Sequence, residues 1–163
     1  AQRAVMTMVG GGLRVALVTT HVALANIPSV LTAKDITATV TIMHRAMRDW
    51  LGIDSPRIAV CGLNPHSGEA KMFGTEEAEF IAPAIGDARS QGIDCAGPVP
   101  ADVVFHQALK GLKIKAAIIV HRRYQGHHAA VKHRQFSTLQ KNAHGTSEVA
   151  IKQARSPPLQ SGV

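Results

Sequence analysis

Apolar residues recur along the first 121 positions in two alternating patterns: short continuous runs, and longer stretches with a three- and four-residue period. The short runs are rich in β-branched residues, which is typical of buried strands. We predict strands at Leu13–Thr19, Ile58–Cys61, Ile93–Ala96 and Lys113–Val120. Because these strands alternate with helical stretches, the pattern indicates an α/β domain with a largely parallel sheet over residues 1–121.

Three stretches between the predicted strands have the period of amphipathic helices. They are Ala33–Leu51, residues 75–92 and Ala101–Lys110. In the second stretch, Glu76 and Glu77 lie in the first turn, where the helix dipole favours acidic side chains. The first stretch has one apolar stripe that we expect to be buried. Its members are Ile36, Val40, Met43, Met47, Trp50 and Leu51.

Both ends of the first predicted helix are marked by local signals. Thr32 and Asp35 have the spacing of a capping box, and Gly52 is a natural stop. His44 has no evident partner within this helix, so we expect it at the surface. The glycine run at residues 10–12 precedes a strand instead of following one, which favours a flexible connector over a phosphate-binding loop.

Charge divides the chain into two parts. Residues 1–112 contain nine Lys and Arg against ten Asp and Glu, whereas residues 113–163 contain nine against one. The hydrophobic pattern also fails after His121, so we expect residues 122–163 to form a diverged, basic and weakly ordered tail. A basic tail could bind nucleic acid, which is the alternative from another functional class. With only Tyr124 and Phe136 as aromatic residues in the tail, however, base stacking has little support and the composition argues against this partner.

Length and composition exclude several other classes. The chain has 163 residues, of which 45% are hydrophobic, enough for one domain with a sizeable core. No run approaches the ~18 apolar residues that a membrane span requires, and no secretory signal is evident. Cys61 and Cys95 lie in strand-like runs without a C-x-x-C spacing. We therefore expect a reduced, cytoplasmic protein without cysteine-bound zinc.

Three histidines share one position relative to the predicted strands. His21 and His121 directly follow strands, and His66 follows the third through a turn that Asn64-Pro65 enforces. The carboxyl ends of parallel strands lie at one edge of a sheet, so the three imidazoles can converge there. Three neutral histidines with an open position are a usual site for a catalytic divalent metal. The alternative is that some of nine histidines lie at strand ends by chance, as ordinary surface residues.

Four segments have more specific patterns: LRVALVTTH at 13–21, PRIAVCGLNPHSGE at 56–69, FGTEE at 73–77 and GPVPAD at 97–102. They resemble the 4-hydroxythreonine-4-phosphate dehydrogenase family, PdxA, of pyridoxal phosphate (vitamin B6) biosynthesis. The resemblance implies a three-layer α/β/α fold like that of the isocitrate and isopropylmalate dehydrogenases. It also implies a cytoplasmic homodimer whose metal site is built between subunits.

The resemblance further implies a reaction and its residues. The family oxidises 4-phosphohydroxy-L-threonine with NAD or NADP, and the resulting β-keto acid is decarboxylated. Its divalent metal (Zn, Mg or Co) is held by three histidines that correspond to His21, His66 and His121. Asp102 lies in a matching segment, as a residue near the site or as a helix N-cap, and Lys132 stands for a substrate-binding lysine. No G-x-G-x-x-G fingerprint is present, so a nucleotide site of the usual Rossmann type is not expected.

The chain departs from the family pattern after residue 121. Where the family has His-Asp-Gln-Gly, this chain has His121-Arg122-Arg123-Tyr124, and the later substrate-binding Asn and Arg have no counterpart. We therefore interpret the chain as an internal or C-terminal part of a family member with a diverged tail. Two functions remain open within the family: an active metal-dependent dehydrogenase, or a catalytically inactive remnant.

Overall fold

Strands and helices alternate in the computed structural model, which describes residues 3–10, 13–109, 114, 116–121 and 148–152. Only the backbone is described at residues 109, 117, 119–121 and 148–152. The strands are β1 (Ala4–Gly10), β2 (Leu13–Thr19), β3 (Ile58–Cys61), β4 (Cys95–Val99), β5 (Ala116–His121) and β6 (Glu148–Lys152). The α-helices are α1 (Ile27–Val30), α2 (Ala33–Asp49), α3 (Ala82–Ser90) and α4 (Ala101–Leu109). The shorter turns are the 3₁₀ segments Leu24–Asn26 and Pro65–Gly68, and the π-helical turn Glu77–Ile81.

The described strands form one sheet in the order β4-β3-β5-β2-β1-β6. Strand β5 pairs in parallel with β2 and β3, and β3 pairs in parallel with β4. Strand β1 is antiparallel to both β2 and β6. The predicted α/β class with a largely parallel sheet is confirmed, although neither β1 nor β6 was predicted.

Two apolar clusters cover the two faces of this sheet. Alternating strand residues point to opposite faces, so Ile58 and Val60 contribute to one cluster whereas Ala59 and Cys61 contribute to the other. The larger cluster packs the sheet against α2 and α3, and the smaller one packs it against α4. Helices therefore lie on both faces of the sheet.

Helix α2 begins as its capping signal predicts. The Thr32 side chain accepts a hydrogen bond from the Asp35 amide (3.1 Å) and donates one to the Asp35 carboxylate (2.7 Å). Asp35 is also paired with Arg3, next to β1. Burial raises the pKa of Asp35, but hydrogen bonds from Arg3 and Thr32 outweigh it, so the pKa lies below its ordinary value.

The other end of α2 differs from the prediction. The helix ends at Asp49, and Trp50 and Leu51 are 54% and 45% exposed instead of completing the buried stripe. His44, which we expect at the surface, is only partly exposed. Burial, and then the charge of Arg48, lowers the pKa of this imidazole.

Strand β4 lies further along the chain than predicted. It spans Cys95–Val99 instead of Ile93–Ala96, so Gly97, Pro98 and Val99 belong to the sheet. Pairing with β3 decides this, since Ala59 lies beside Ala96 and the Gly62 amide donates to the Val99 carbonyl (2.9 Å). β4 is the end strand in the order given for the described sheet, where a proline is tolerated.

Candidate metal centre

Three strands that end at or shortly before a candidate histidine lie side by side in the sheet. Strand β5 is the central one, with β3 on one side and β2 on the other. Ala16, Ile118 and Val60 lie level across these strands. The histidines follow these level positions by five, three and six residues, at one edge of the sheet. Neighbouring strands are about 5 Å apart, so the three strand ends that precede these histidines are close together.

His21 follows β2 in an unusual backbone conformation. Its φ of 59° lies in the left-handed region, which residues other than glycine seldom adopt. Its side chain is exposed at the carboxyl end of β2. Left-handed conformations at such residues cluster at functional sites, because surrounding structure must hold them in place. The backbone of His21 thus adds a structural argument to the pattern that predicted it.

His66 lies in a second left-handed segment, within the 3₁₀ turn Pro65–Gly68. His66 and Ser67 have φ values of 52° and 54°. Asn64 is extended, as a residue before proline should be. The His66 ring is exposed, and its centroid is 6.1 Å from that of Phe73. The Asn64-Pro65-His66 turn therefore presents this imidazole at the end of β3, as predicted.

Two carboxylates bind the residue that opens this turn. The Asn64 amide nitrogen of the backbone donates to Glu77 Oε1 (2.7 Å), and its side-chain Nδ2 donates to Glu77 Oε2 (3.0 Å) and Glu76 Oε2 (2.7 Å). Glu77 is 5% exposed. We had predicted both carboxylates only as first-turn acids of a helix. Their tertiary role was missed because the Asn-Pro-His and Gly-Thr-Glu-Glu segments meet only in the fold.

The third histidine is described by its backbone alone. His121 is the last residue of β5, and its Cα pairs with that of Thr19, two residues before His21. Among the side chains that the structure describes, no three His, Cys, Asp or Glu residues come together as a metal site. The side chain of His121 is outside that set, so its role as a ligand stays a prediction.

Of the other two candidate residues, the structure describes Asp102 but not Lys132. Asp102 is exposed in the first turn of α4, which begins at Ala101, so the alternative role as N-cap is not observed. Helix α4 directly follows β4, beside β3, which leaves Asp102 near the same edge of the sheet. Lys132 and most of the predicted tail, including the aromatic residues Tyr124 and Phe136, lie outside the described residues. Within the tail the structure describes only β6.

The cysteines are buried thiols with no part in this centre. Both are free. Burial raises the pKa of Cys61 to about 12 and that of Cys95 to about 11, so both stay protonated at neutral pH and are poor metal ligands. In the part of the chain that the structure describes, no helix has the length and hydrophobicity to cross a bilayer.

Fold and site together define a class: an α/β protein with histidines gathered at the carboxyl edge of parallel strands. Comparison with known proteins identifies the family. The model of the pyridoxal phosphate biosynthetic protein PdxA matches residues 1–145. The chain belongs to the PdxA family, which confirms the resemblance seen in its motifs.

Several relatives are named 4-hydroxythreonine-4-phosphate dehydrogenase. The chain is 50% identical to the one from Geobacter metallireducens over 111 residues, covering 68% of this chain and 32% of that protein. It is 48% identical to the one from Pseudomonas putida over 101 residues, covering 62% and 31%. The chain thus spans about a third of the length of these relatives.

Solved structures agree with this assignment. The 4-hydroxythreonine-4-phosphate dehydrogenase from Klebsiella pneumoniae superposes with a TM-score of 0.71 at 32% identity, covering 82% of this chain and 39% of that one. A terephthalate 1,2-cis-dihydrodiol dehydrogenase from Burkholderia xenovorans superposes with a TM-score of 0.67 at 25% identity, covering 80% and 40%. The same fold therefore occurs in dehydrogenases named for different substrates.

Proposed function

We propose that this chain provides the metal-binding part of a dehydrogenase that acts on 4-phosphohydroxy-L-threonine in pyridoxal phosphate biosynthesis. The reaction is an oxidation by NAD or NADP that depends on a divalent metal and is followed by decarboxylation. The proposal is supported by family membership and by the names of the relatives. The observation that carries it is the adjacency of three strands: β5, which ends at His121, and β2 and β3, which His21 and His66 follow.

The described residues fit a divalent metal ion. His21 and His66 are exposed imidazoles on left-handed backbone, at the ends of strands that flank β5. Imidazole nitrogens suit zinc or cobalt better than magnesium, which prefers oxygen ligands. The proposed ligand set is therefore His21, His66 and His121. When bound, the metal would act as a Lewis acid that polarises a substrate oxygen.

The remaining parts of the proposal follow from the family. Asp102 is placed near the substrate and Lys132 is assigned as a substrate contact. The nicotinamide cofactor, the homodimeric assembly and the three-layer arrangement of the isocitrate dehydrogenase type belong to the same proposal, as does a cytoplasmic location. The Burkholderia xenovorans neighbour is named for a dihydrodiol, so the phosphorylated hydroxy acid is proposed from the relatives' names and not from the fold.

Calorimetric titration of the purified chain with Zn²⁺ and Co²⁺ tests the metal site. We expect stoichiometric binding by the wild-type chain and none by His66→Ala. The matched control is His106→Ala, a substitution of an exposed histidine on α4 outside the proposed set, which should bind as the wild type does. Unchanged binding by His66→Ala would refute the assignment.

Reduction of NAD or NADP in the presence of 4-phosphohydroxy-L-threonine tests the activity separately. Metal-dependent formation of the reduced cofactor is the expected result. A chain that binds metal without reducing either cofactor corresponds to the alternative, a catalytically inactive remnant that keeps the fold and the metal site.

A further inference from the structure

Glu77 is a buried carboxylate whose described hydrogen bonds all run to one residue. Both of its oxygens accept hydrogen bonds from Asn64, one from the backbone amide and one from the side chain. Burying a carboxylate is costly unless its lone pairs are satisfied. Such an arrangement holds the backbone at that amide in one place.

The glycines around this contact show how closely it is packed. A side chain at Gly68 would place its Cβ 2.7 Å from Glu77 Oε2. A side chain at Gly74 would collide with the Asn64 amide and with Glu76 Oε2. Both glycines also have positive φ values, which is a second reason why a residue with a side chain would be unfavourable at either position. The turn at Asn64, the two glycines and the carboxylates of Glu76 and Glu77 thus form one closely packed unit.

The unit lies directly against the left-handed segment that contains His66. Asn64 is two residues before His66, and the Ser67 amide donates to the Asn64 carbonyl (3.1 Å). His66 and Ser67 adopt conformations that cost energy unless the neighbouring structure holds them. On the described residues, the contacts that fix the start of this segment come from Glu76 and Glu77.

We infer that Glu77 is a positioning residue, which fixes the Asn64-Pro65-His66 turn and so orients the His66 imidazole, with Glu76 in a lesser supporting role. Glu77 accepts hydrogen bonds from both the backbone and the side chain of Asn64, whereas Glu76 accepts one only from the side chain and is less buried. The consequence for metal binding rests on the proposed function, but the fixing of the turn stands on the contacts alone.

The test compares three substitutions of the same kind on neighbouring residues. Glu77→Gln replaces one of the two carboxylate oxygens by an NH2 group, which cannot accept the hydrogen bond that Asn64 donates there. Glu76→Gln disturbs only the side-chain contact, and Glu79→Gln removes an exposed carboxylate from the same turn as a control. All three keep the size of the side chain and its reach, so the packing around Gly68 and Gly74 is preserved.

Hydrogen exchange of the metal-free chain measures the turn itself. We expect the Asn64 amide and its neighbours up to Gly68 to exchange about tenfold faster in Glu77→Gln, and less so in Glu76→Gln. Amides of β3 and β5 should exchange as in the wild type, and Glu79→Gln should change nothing. Unaltered exchange of this turn in Glu77→Gln would overturn the inference, whether or not the chain binds metal.

Cobalt titration measures the effect on His66. We expect Glu77→Gln to bind Co²⁺ about 10–100-fold more weakly and with an altered visible absorption spectrum, as is typical when a group that supports a ligand is removed. A merely structural role would lower stability without moving the spectrum. If the wild type and Glu77→Gln bind alike while His66→Ala does not bind, the inference fails and the metal site stands. If His66→Ala binds as the wild type does, the proposed function fails, and the exchange measurement still decides whether Glu77 holds the turn.

Discussion

At the scale of single residues, both candidate ligands with described side chains lie on left-handed backbone, as do Ser67, Glu69, Ala70 and Lys71 after His66. His21 and His66 both have φ values between 50° and 60°, although neither is a glycine. The left-handed region costs about 1–2 kcal/mol for a residue with a Cβ. Each imidazole therefore occupies a backbone conformation that glycine would adopt at lower energy.

A pair of substitutions at His21 measures this cost. We expect His21→Gly to be about 1 kcal/mol more stable than His21→Ala, because glycine adopts φ near 59° without the steric penalty. The free energies of unfolding are to be compared by urea denaturation. The exposed position Arg45 in α2 is the matched control, where the order should reverse by about 1 kcal/mol because glycine weakens a helix. Equal stability of the two His21 variants would contradict the assigned strain.

The positions of these histidines could be predicted from the sequence, but their conformation could not. Apolar runs followed by His21, and by Asn64-Pro65-His66, are local signals. The left-handed segment at His66 follows Asn64, whose contact with Glu77 is a tertiary one that no local pattern shows. No spacing rule joins residues 64 and 77, so the carboxylates were assigned to a helix turn instead.

At the scale of elements, α2 is the longest of the described helices. Its start agrees with the capping box because Thr32 and Asp35 are close in sequence and exchange two hydrogen bonds. Its end was predicted two residues late, since Trp50 and Leu51 fit the apolar period yet lie outside the packed face. Strand β1 was not predicted and β4 was predicted too early in the chain. Each pairs with a strand distant in sequence, β1 with β6 and β4 with β3, and local composition does not show such pairing.

Removal of the cap tests the energetic weight of this helix start. We expect Thr32→Ala to lower the free energy of unfolding by about 1 kcal/mol, because the Asp35 amide loses its acceptor. Thr32→Ser keeps the hydroxyl and should stay within a few tenths of a kcal/mol of the wild type. Chemical denaturation provides the measurement. A loss as large in the serine variant would show that the methyl group of Thr32, and not its hydroxyl, stabilises the helix.

At the scale of the whole molecule, the order of the strands makes neighbours of the three strands that precede or end at the candidate histidines. Periodicity predicted a parallel sheet and three strand ends with histidines, but it did not predict that β5 lies between β2 and β3. That order results from non-local pairing, such as Leu17 with Ile119 and Ala59 with Ala117. If the order were different, one histidine would lie a strand further away and a shared metal ion would be out of reach.

A metal ion that joins three strand ends should stabilise the entire fold. Because it binds the folded chain in preference to the unfolded one, Zn²⁺ at a hundredfold excess over its Kd contributes about 2.7 kcal/mol. For a domain of this size, that raises Tm by roughly 5–10 °C, and a chelator should reverse the rise. Thermal unfolding followed by circular dichroism provides the measurement, with His106→Ala expected to gain as much as the wild type. His66→Ala and His21→Ala should each lose most of the gain, because either substitution leaves the ion with fewer strand ends to join. A rise in Tm that persists in both variants would place the bound metal elsewhere on the chain.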